Sequence, residues 1–228
     1  MTHLLDFEKR FLKMMTDLLE NPRIEVITHS QGAMDEERSD ARSVLEALES
    51  WYHVPLDVSL QRCITRFEEL AAHWSIDEPG TQLSGEFNLT YLLDAVGNPP
   101  PRLAWEGAPE SEQQLFSEFR VIDDTPSGGT GKLASIRIRD GATSPEVWFF
   151  DVTRGTYKLN IDYCGYMEAL LLTKGTYGWQ YLFTDISLRG REFQNVVSDL
   201  KLMLRTFPAL FPDGDYAPLR ARLSERLR

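Results

Sequence analysis

The stretch 146–183 constrains the fold more than any other part of the chain. It begins with Glu146–Asp151, a continuous apolar strand that contains Val, Trp and two Phe residues. Apolar and polar residues alternate before it, at 134–139, and after it, at 157–161. Gly-containing turn signals separate the three strands at 140–141 and 154–155. The pattern predicts a three-stranded antiparallel meander, and because its middle strand is apolar on both sides, we expect both faces to be covered.

A helix with clear start and stop signals follows the meander. Asp162 is a candidate N-cap for a helix over Tyr163–Thr173, and Lys174 with Gly175 is a candidate stop signal. Residues 177–183 are dense in aromatics and fit either a helix or a strand.

Amphipathic helices are predicted on both sides of this stretch. Apolar residues recur at helical spacing over 4–19, 42–52 and 192–207, and shorter helices are predicted at 58–66 and 218–227. We expect Pro208 and Pro212 to end the helix over 192–207, because proline removes a helical donor.

The first half of the chain carries weaker strand signals. Residues 70–76 alternate as in a half-exposed strand, and 119–122 form a short strand candidate. Residues 87–93 fit either a strand or a short helix. Residues 28–40 are predicted as a loop, or as a loop that passes into a helix N-terminus, and residues 78–85 as a turn region. The Gly-Asn-Pro-Pro-Pro run 97–101 could divide two domains, but we interpret it as a connection on the surface of one.

These elements predict the fold class α+β. We expect a mostly antiparallel sheet with a β-meander in the C-terminal half, flanked by helices, plus an N-terminal helix. One domain over 1–228 accommodates them, with an N-terminal helical extension (1–53), a core (54–184) and C-terminal helices (190–228).

The charge of the chain limits its partners. The formal net charge is -11, which repels nucleic acid and anionic membrane surfaces and attracts a basic protein. An alternative is that acidity only keeps the chain soluble. No apolar run is long enough to span a bilayer and no secretory signal is recognisable, so we expect a cytoplasmic location.

The cysteines and histidines indicate neither a metal site nor a disulfide. Cys63 and Cys164 lie far apart without CxxC spacing, and we expect both to be reduced packing residues. The four histidines (His3, His29, His53, His73) lack metal-ligand spacing. No metal and no cofactor is predicted.

The run 127–132, Ser-Gly-Gly-Thr-Gly-Lys, superficially resembles a phosphate-binding loop. The P-loop pattern requires glycine where Pro126 stands and Ser or Thr where Leu133 stands. A dinucleotide-binding fingerprint must open a helix, whereas a strand follows here. A flexible hairpin-like loop is therefore favoured over a nucleotide site.

Acidic residues offer two alternatives, catalysis and partner binding. Candidate paired carboxylates are Asp123 with Asp124, Asp151, Asp162 and Asp185, and each also has a structural role available in a turn, strand end, cap or loop. No residue is predicted to be catalytic. Acidic loops form the predicted partner-binding site: Asp35, Glu36, Glu37, Glu110, Glu112, Asp123 and Asp124.

The second half of the chain resembles the SUKH superfamily, which includes the fungal cell-wall synthesis regulator and many bacterial relatives. The residues that carry the resemblance are Val-Trp-Phe-Phe-Asp at 147–151, Tyr-Lys-Leu at 157–159, Asp162-Tyr163, Gly165-Tyr166, Lys174-Gly175 and Gly-Trp-Gln-Tyr-Leu-Phe at 178–183. Upstream, a helix ending near Glu68, a strand through Trp74 and Gly-Glu-Phe-Asn-Leu at 85–89 follow the same order. The resemblance spans roughly 54–184.

The resemblance implies a single α+β domain without enzymatic activity or cofactor. Many bacterial relatives are immunity proteins that neutralise toxins, often nucleases, and nuclease toxins are commonly basic. The leading hypothesis is therefore a protein-binding module that neutralises a toxin by direct binding. The alternatives are a regulatory or scaffold protein with an endogenous partner, and an enzyme with a carboxylate site near Asp123, Asp151 or Asp162.

Overall fold

A computed structural model of the chain describes residues 3–228. Within them, seven antiparallel strands form one sheet, ordered as they occur along the chain. The strands are β1 (Glu25–Gln31), β2 (Glu69–Glu78), β3 (Thr81–Thr90), β4 (Phe119–Asp124), β5 (Lys132–Arg137), β6 (Glu146–Asp151) and β7 (Gly155–Lys158). The predicted α+β class, the antiparallel sheet and the β5–β6–β7 meander are confirmed.

Helices precede, interrupt and follow the sheet. They are α1 (Asp6–Leu19), α2 (Ala41–Tyr52), α3 (Leu92–Gly97), α4 (Glu110–Ser117), α5 (Tyr163–Thr173), α6 (Gln194–Leu210) and α7 (Ala217–Arg226), with 3₁₀ helices at Val58–Cys63, Trp179–Phe183 and Arg191–Phe193. The predicted caps of α5 are confirmed, because Asp162 accepts from the Gly165 N–H at 2.7 Å and Lys174 adopts the left-handed conformation at the C-terminus.

Two boundaries differ from the sequence prediction, and one ambiguous segment is resolved. Residues 28–31 were predicted as loop but belong to β1, an edge strand that pairs with β2. Residues 81–85 were predicted as turn but belong to β3, so only Pro79 and Gly80 separate the two strands. The ambiguous segment 87–93 contains both alternatives, the end of β3 and the start of α3.

Pro208 lies inside α6 and does not end it. Proline lacks the N–H that would bond the carbonyl four residues earlier, which is that of Leu204. The guanidinium of Arg220, on α7, donates to this carbonyl at 2.9 Å. A side chain from the next helix therefore satisfies the acceptor that proline leaves open, which explains why the helix continues.

Trp74 lies at the centre of the packing between sheet and helices. Its fully buried ring stands opposite Gly85 on β3, where an added Cβ would come within 2.5 Å of the ring. Its indole N–H donates to the Lys174 carbonyl at 2.6 Å. Glycine at 85 thus makes room for the tryptophan, and the tryptophan fixes the backbone that follows α5.

The sheet opens between β3 and β4, which pair only at Leu89 and Asp123. The segment after α5 fills the gap: Glu86 N–H donates to the Gly175 carbonyl at 2.9 Å, and Tyr177 N–H donates to the Ser84 carbonyl at 3.1 Å. The C-terminus of α5 is thereby held against the edge of β3.

Cys63 and Cys164 form a disulfide, so the prediction of two separate reduced thiols is wrong. Their Cα atoms lie 5.3 Å apart, and both residues are buried where the 3₁₀ helix Val58–Cys63 packs on the first turn of α5. The two residues are 101 positions apart in sequence. Tertiary packing brings them together, and their sequence spacing gives no sign of it.

Candidate functional site

A groove of about 900 Å³ lies between α1, α5 and the chain that connects α6 to α7. We call it the α1–α5 groove. Its inner surface includes the apolar side chains Met14, Ile161, Leu172, Phe183, Leu210 and Phe211. This volume lies within the range of ligand-binding cavities, roughly 300 to 1,000 Å³. The three wall segments are distant in sequence, and the groove exists only because α1 and the C-terminal helices pack around α5.

The rim of the groove carries paired charges of both signs. Arg10 on α1 makes a two-pronged ion pair with Glu168 on α5, with N–O distances of 2.6 and 2.5 Å. The Lys13 ammonium lies 2.9 Å from the Asp17 carboxylate and 3.6 Å from that of Asp213. A polar rim around an apolar floor is the usual arrangement of a protein interaction site.

Lys174 is the buried charged group of the groove. The residue is 8% exposed, and its ammonium lies 4.9 Å from the centre of the Phe211 ring and donates to the Leu171 carbonyl. Burial lowers the pKa of Lys174 to about 8; the attraction of Asp17 opposes this shift and the repulsion of Lys13 adds to it. Asp17 forms its ion pair with Lys13, and no ion pair within 4.0 Å joins Lys174 to a carboxylate of residues 3–228.

The predicted acidic site divides into separate places. Asp35 accepts a hydrogen bond from the Tyr91 hydroxyl at 3.0 Å. Burial is the main cause that raises the pKa of Asp94, and the charges of Glu68 and Asp35 add to it. We call Asp35, Glu68 and Asp94 the first acidic cluster. Glu36 and Glu37, beside Asp35, are exposed.

A second acidic cluster consists of Glu69, Glu86 and Asp124. Burial is the main cause that raises the pKa of Asp124, and the neighbouring charges of Glu86 and Glu69 add to it. Glu68 of the first cluster and Glu69 of the second are consecutive residues at the start of β2. Asp35 and Asp124 nevertheless belong to different clusters.

Asp123 lies outside any exposed acidic surface. The residue is 4% exposed and accepts from the Tyr166 hydroxyl at 2.6 Å and from the Asn88 N–H at 2.8 Å. Burial raises its pKa to about 7, although both hydrogen bonds favour the charged form. Asp123 joins β4 to β3 and α5, which is a structural role.

Glu110 and Glu112 lie in the first turn of α4, where negative charge favours the helix dipole. Glu110 is exposed and Glu112 is partly exposed.

The other carboxylates considered for catalysis also have structural partners. Asp151 is fully buried and accepts from the Thr153 hydroxyl at 2.6 Å and the Tyr181 hydroxyl at 2.8 Å. Asp162 caps α5. Neither these two residues nor Asp123 lines the α1–α5 groove.

The glycine-rich run 127–132 lies in the connection from β4 to β5, as the hairpin-like interpretation predicts. The N–H groups of Ser127 and Gly128 donate to the Glu86 carboxylate at 2.6 and 2.8 Å. Lys132 lies over the ring of Tyr177 at 5.4 Å. A protein carboxylate thus occupies the donors that a phosphate would require, and this argues against a nucleotide site.

Residues 3–228 contain no group of three or more His, Cys, Asp or Glu side chains placed to hold a metal ion. Over the same residues, no helix combines the length and apolar character that crossing a bilayer requires.

The structure thus defines an α+β protein with a seven-stranded antiparallel sheet and a helix-walled groove. The chain is 31% identical over 133 residues to the chaperone protein YcdY of Escherichia coli (strain K12). This match covers 50% of the chain and 71% of that protein, and the chain belongs to the YcdY family.

No protein-family model matches the chain, and the SUKH resemblance stays a prediction from the residues. No solved structure matches the chain.

Sequence reasoning missed the groove and the burial of Lys174. The prediction placed Lys174 at a helix stop without assigning it a functional role. No sequence signal pointed to this burial, because it depends on tertiary packing. The Lys174 φ of 54°, which is uncommon for a residue other than glycine, is seen only in the structure.

Proposed function

We propose that the protein binds a segment of another polypeptide chain in the α1–α5 groove. The single observation that carries the proposal is the groove itself, an apolar cavity of about 900 Å³ with ion pairs of both signs along its rim. Apolar side chains of the partner would gain from burial on the floor. The rim charges would orient its polar groups and limit which partners fit.

The YcdY relative supports the proposal through its name, which describes a chaperone. A chaperone binds other polypeptides, and the groove offers this chain a place to do so. In this proposal the protein acts by binding alone, without catalysis, a cofactor or nucleic acid.

Site-directed photo-crosslinking tests the proposal. A photoreactive residue at Leu172, which is partly buried in the groove, is compared with one at Val152, which is 63% exposed in the β6–β7 turn. Both replace an apolar side chain, but only position 172 faces the groove. We expect crosslinks to one reproducible set of partner peptides from position 172. Equal, unselective labelling from the two positions would contradict the proposal.

A finer proposal follows from the charge of the chain. The net charge of -11 and the two acidic clusters favour a basic partner. With the SUKH resemblance, this supports toxin neutralisation by an immunity protein, with a regulatory or scaffold role as the alternative. Both roles fit a cytoplasmic location.

Co-expression with a toxin encoded beside this gene tests the immunity role. We expect rescue of growth and a complex on gel filtration, and we expect Glu36→Lys with Glu37→Lys to weaken the complex. If the unmodified chain neither rescues growth nor forms a complex with the toxin, this role is refuted. A housekeeping partner in native pull-downs would favour the regulatory alternative.

A further inference from the structure

We propose that the α1–α5 groove selects an apolar polypeptide segment that carries an acidic side chain, whose carboxylate binds the ammonium of Lys174. This inference rests on the proposed function and adds the chemistry of the bound segment. It requires a groove that admits a peptide, a buried cation without an acidic partner, and rigid support for that cation. Each requirement is met by described residues.

The buried cation is the first support. Removing an ammonium from water is costly unless a counter-charge and hydrogen bonds replace the water. Lys174 is 8% exposed, yet its contacts are one carbonyl, that of Leu171, and the face of Phe211. An ammonium has three donors, so this arrangement leaves capacity for a carboxylate that enters the groove.

The other cations of the groove are less suited to this role. Arg10 and Lys13 already form ion pairs on the rim. Arg222 lies over the Phe183 ring at 4.4 Å and is partly exposed, so water solvates part of its charge. Lys174 is therefore the cation for which an incoming carboxylate changes the electrostatic environment most.

The backbone holds Lys174 in place before a ligand arrives. The Lys174 carbonyl accepts the buried indole N–H of Trp74 at 2.6 Å, and Gly175 pairs with β3. The last carbonyls of α5 stabilise a cation at this end of the helix. A preorganised ammonium loses little freedom on binding, which favours affinity for a carboxylate.

A peptide fits the groove better than a simple apolar molecule. The rim pairs Arg10–Glu168 and Lys13–Asp213 are exposed to solvent, so their charges can also attract the polar groups that accompany a polypeptide, in addition to their existing partners. A fatty acid would use the floor and Lys174 but not these rim charges. The test below distinguishes the two.

The titration of Lys174 sets the expected pH dependence. Because its pKa is lowered to about 8, the amine is mostly protonated at about pH 7 and neutral at about pH 10. A bound carboxylate favours the protonated form, so the preference for acidic peptides is present below about pH 8 and lost above it.

Other ionisable groups line the groove together with Lys174, from every element that forms it: Arg10, Lys13 and Asp17 on α1, Glu20 just after it, Glu168 on α5, Asp213, Asp215 and Tyr216 in the α6–α7 connection, and Arg222 on α7. Burial raises the pKa of Tyr216 to about 12, and pairing with Asp17 raises that of Lys13. Guanidinium groups stay charged at about pH 10.

The experiment measures fluorescence anisotropy with two Leu- and Ala-rich helical peptides that differ only by one central Glu or Gln. The proteins are the unmodified chain, Lys174→Met, which keeps an unbranched apolar stem over Phe211, and Lys174→Arg, which keeps the charge. Circular dichroism confirms that each variant is folded.

We expect the unmodified chain at about pH 7 to prefer the Glu peptide by about tenfold, which corresponds to about 1.4 kcal/mol. The preference should vanish in Lys174→Met and, for the unmodified chain, at about pH 10. Lys174→Arg should retain it at both pH values, a result that a purely structural role of Lys174 would not produce.

Four results would overturn the inference. Equal affinity of the unmodified chain for both peptides would refute it while leaving groove binding intact. A preference that persists in Lys174→Met would assign it to another cation. Dodecanoate that binds and displaces the Glu peptide at a far lower concentration would identify a lipid as the occupant. If neither peptide binds, the proposed groove function fails together with the inference.

Discussion

Replacing Glu8 by glutamine should destabilise the fold far more than replacing Glu168 by glutamine. Both glutamates form a two-pronged ion pair with an arginine, and α1 contributes one residue to each pair. The pairs differ in burial. Glu8 and Arg66 have fully buried side chains, whereas the side chains of Arg10 and Glu168 are 51% and 50% exposed.

The contacts of the buried pair explain the expected cost. Arg66 donates to Glu8 at 2.9 and 2.8 Å, and its other N–H groups bond the carbonyls of His3, Arg38 and Ser39. Glutamine at position 8 leaves this guanidinium without a counter-charge in the core. Breaking a buried pair in this way costs about 3–5 kcal/mol, while an exposed pair contributes about 0–1 kcal/mol. The variants should therefore differ by at least about 2 kcal/mol.

Urea unfolding followed by tryptophan fluorescence measures both variants. We expect Glu8→Gln to lower the midpoint strongly with an unchanged slope, and Glu168→Gln to lie close to the unmodified protein. Equal free energies of unfolding for the two variants would refute the reasoning, because the Glu8–Arg66 pair is buried and bonded to the backbone whereas the Arg10–Glu168 pair is exposed.

The pH dependence gives an independent check on Glu8. Burial alone would raise its pKa, but hydrogen bonds from Arg66 and from the Leu5 N–H outweigh burial and lower it from the ordinary value of 4.5. A lowered pKa in the folded state contributes stability that is present above 4.5 and lost as the pH falls through the lower, folded value. Glu8→Gln should lose less stability than the unmodified protein over that acid range.

Three further predictions test other parts of the structure. Reduction of the disulfide, whose cysteines are 101 positions apart in sequence, should lower the free energy of unfolding by about 2–5 kcal/mol. Urea melts of the protein with reductant and without it measure the difference. No difference would mean that the bond is absent in solution. Arg220→Met should lower the free energy of unfolding by about 1–3 kcal/mol because the Leu204 carbonyl loses its donor. The loss should be smaller in a Pro208→Ala background, where the backbone N–H restored at position 208 can bond that carbonyl. An equal loss in both backgrounds would contradict the role of Arg220. Carbon NMR should show the Asp123 carboxyl titrating at about pH 7, and Tyr166→Phe should raise that midpoint because it removes a hydrogen bond to the charged form. Since the folded-state pKa is raised, the contribution of Asp123 to stability is lost as the pH rises from about 4 to about 7. A midpoint at the ordinary aspartate value would contradict the burial of Asp123.

Local signals allowed the meander and α5 to be predicted from sequence. The strands β5, β6 and β7 alternate or are continuously apolar, and the Asp162 cap and the Lys174 stop act within a few residues of α5. Such signals need no knowledge of distant contacts.

Elements that depend on pairing could not be predicted in this way. The edge strand β1 has a mostly polar, exposed sequence and is formed by its hydrogen bonds to β2. The sequence predicts a turn at Gly85, but Gly85 lies in β3, where the absence of a side chain leaves room for the Trp74 ring on the neighbouring strand. The continuation of α6 through Pro208 depends on a guanidinium from α7.

The candidate site was the least predictable part of the molecule. Acidic residues are visible in a sequence, but their burial is not, and Asp123 proved to be an interior residue. The groove combines α1, α5 and the chain around Phe211, and the environment of Lys174 depends on all of them. Tertiary packing alone creates such a site.

The disulfide bears on where the protein is found. Disulfides persist in oxidising compartments and are rare in the cytosol, so the Cys63–Cys164 bond argues against the proposed cytoplasmic location, which requires two free thiols in protein isolated under thiol-trapping conditions. Protein that is fully oxidised in such an extract would instead favour an oxidising compartment.

Amide hydrogen exchange tests the central claim most directly. The protein is compared alone and with the partner segment identified by crosslinking from Leu172. The proposal predicts slower exchange in α1, α5 and the α6–α7 connection, the three walls of the groove. Slower exchange confined to the acidic clusters at the start of β2, with α1 and α5 unchanged, would contradict it.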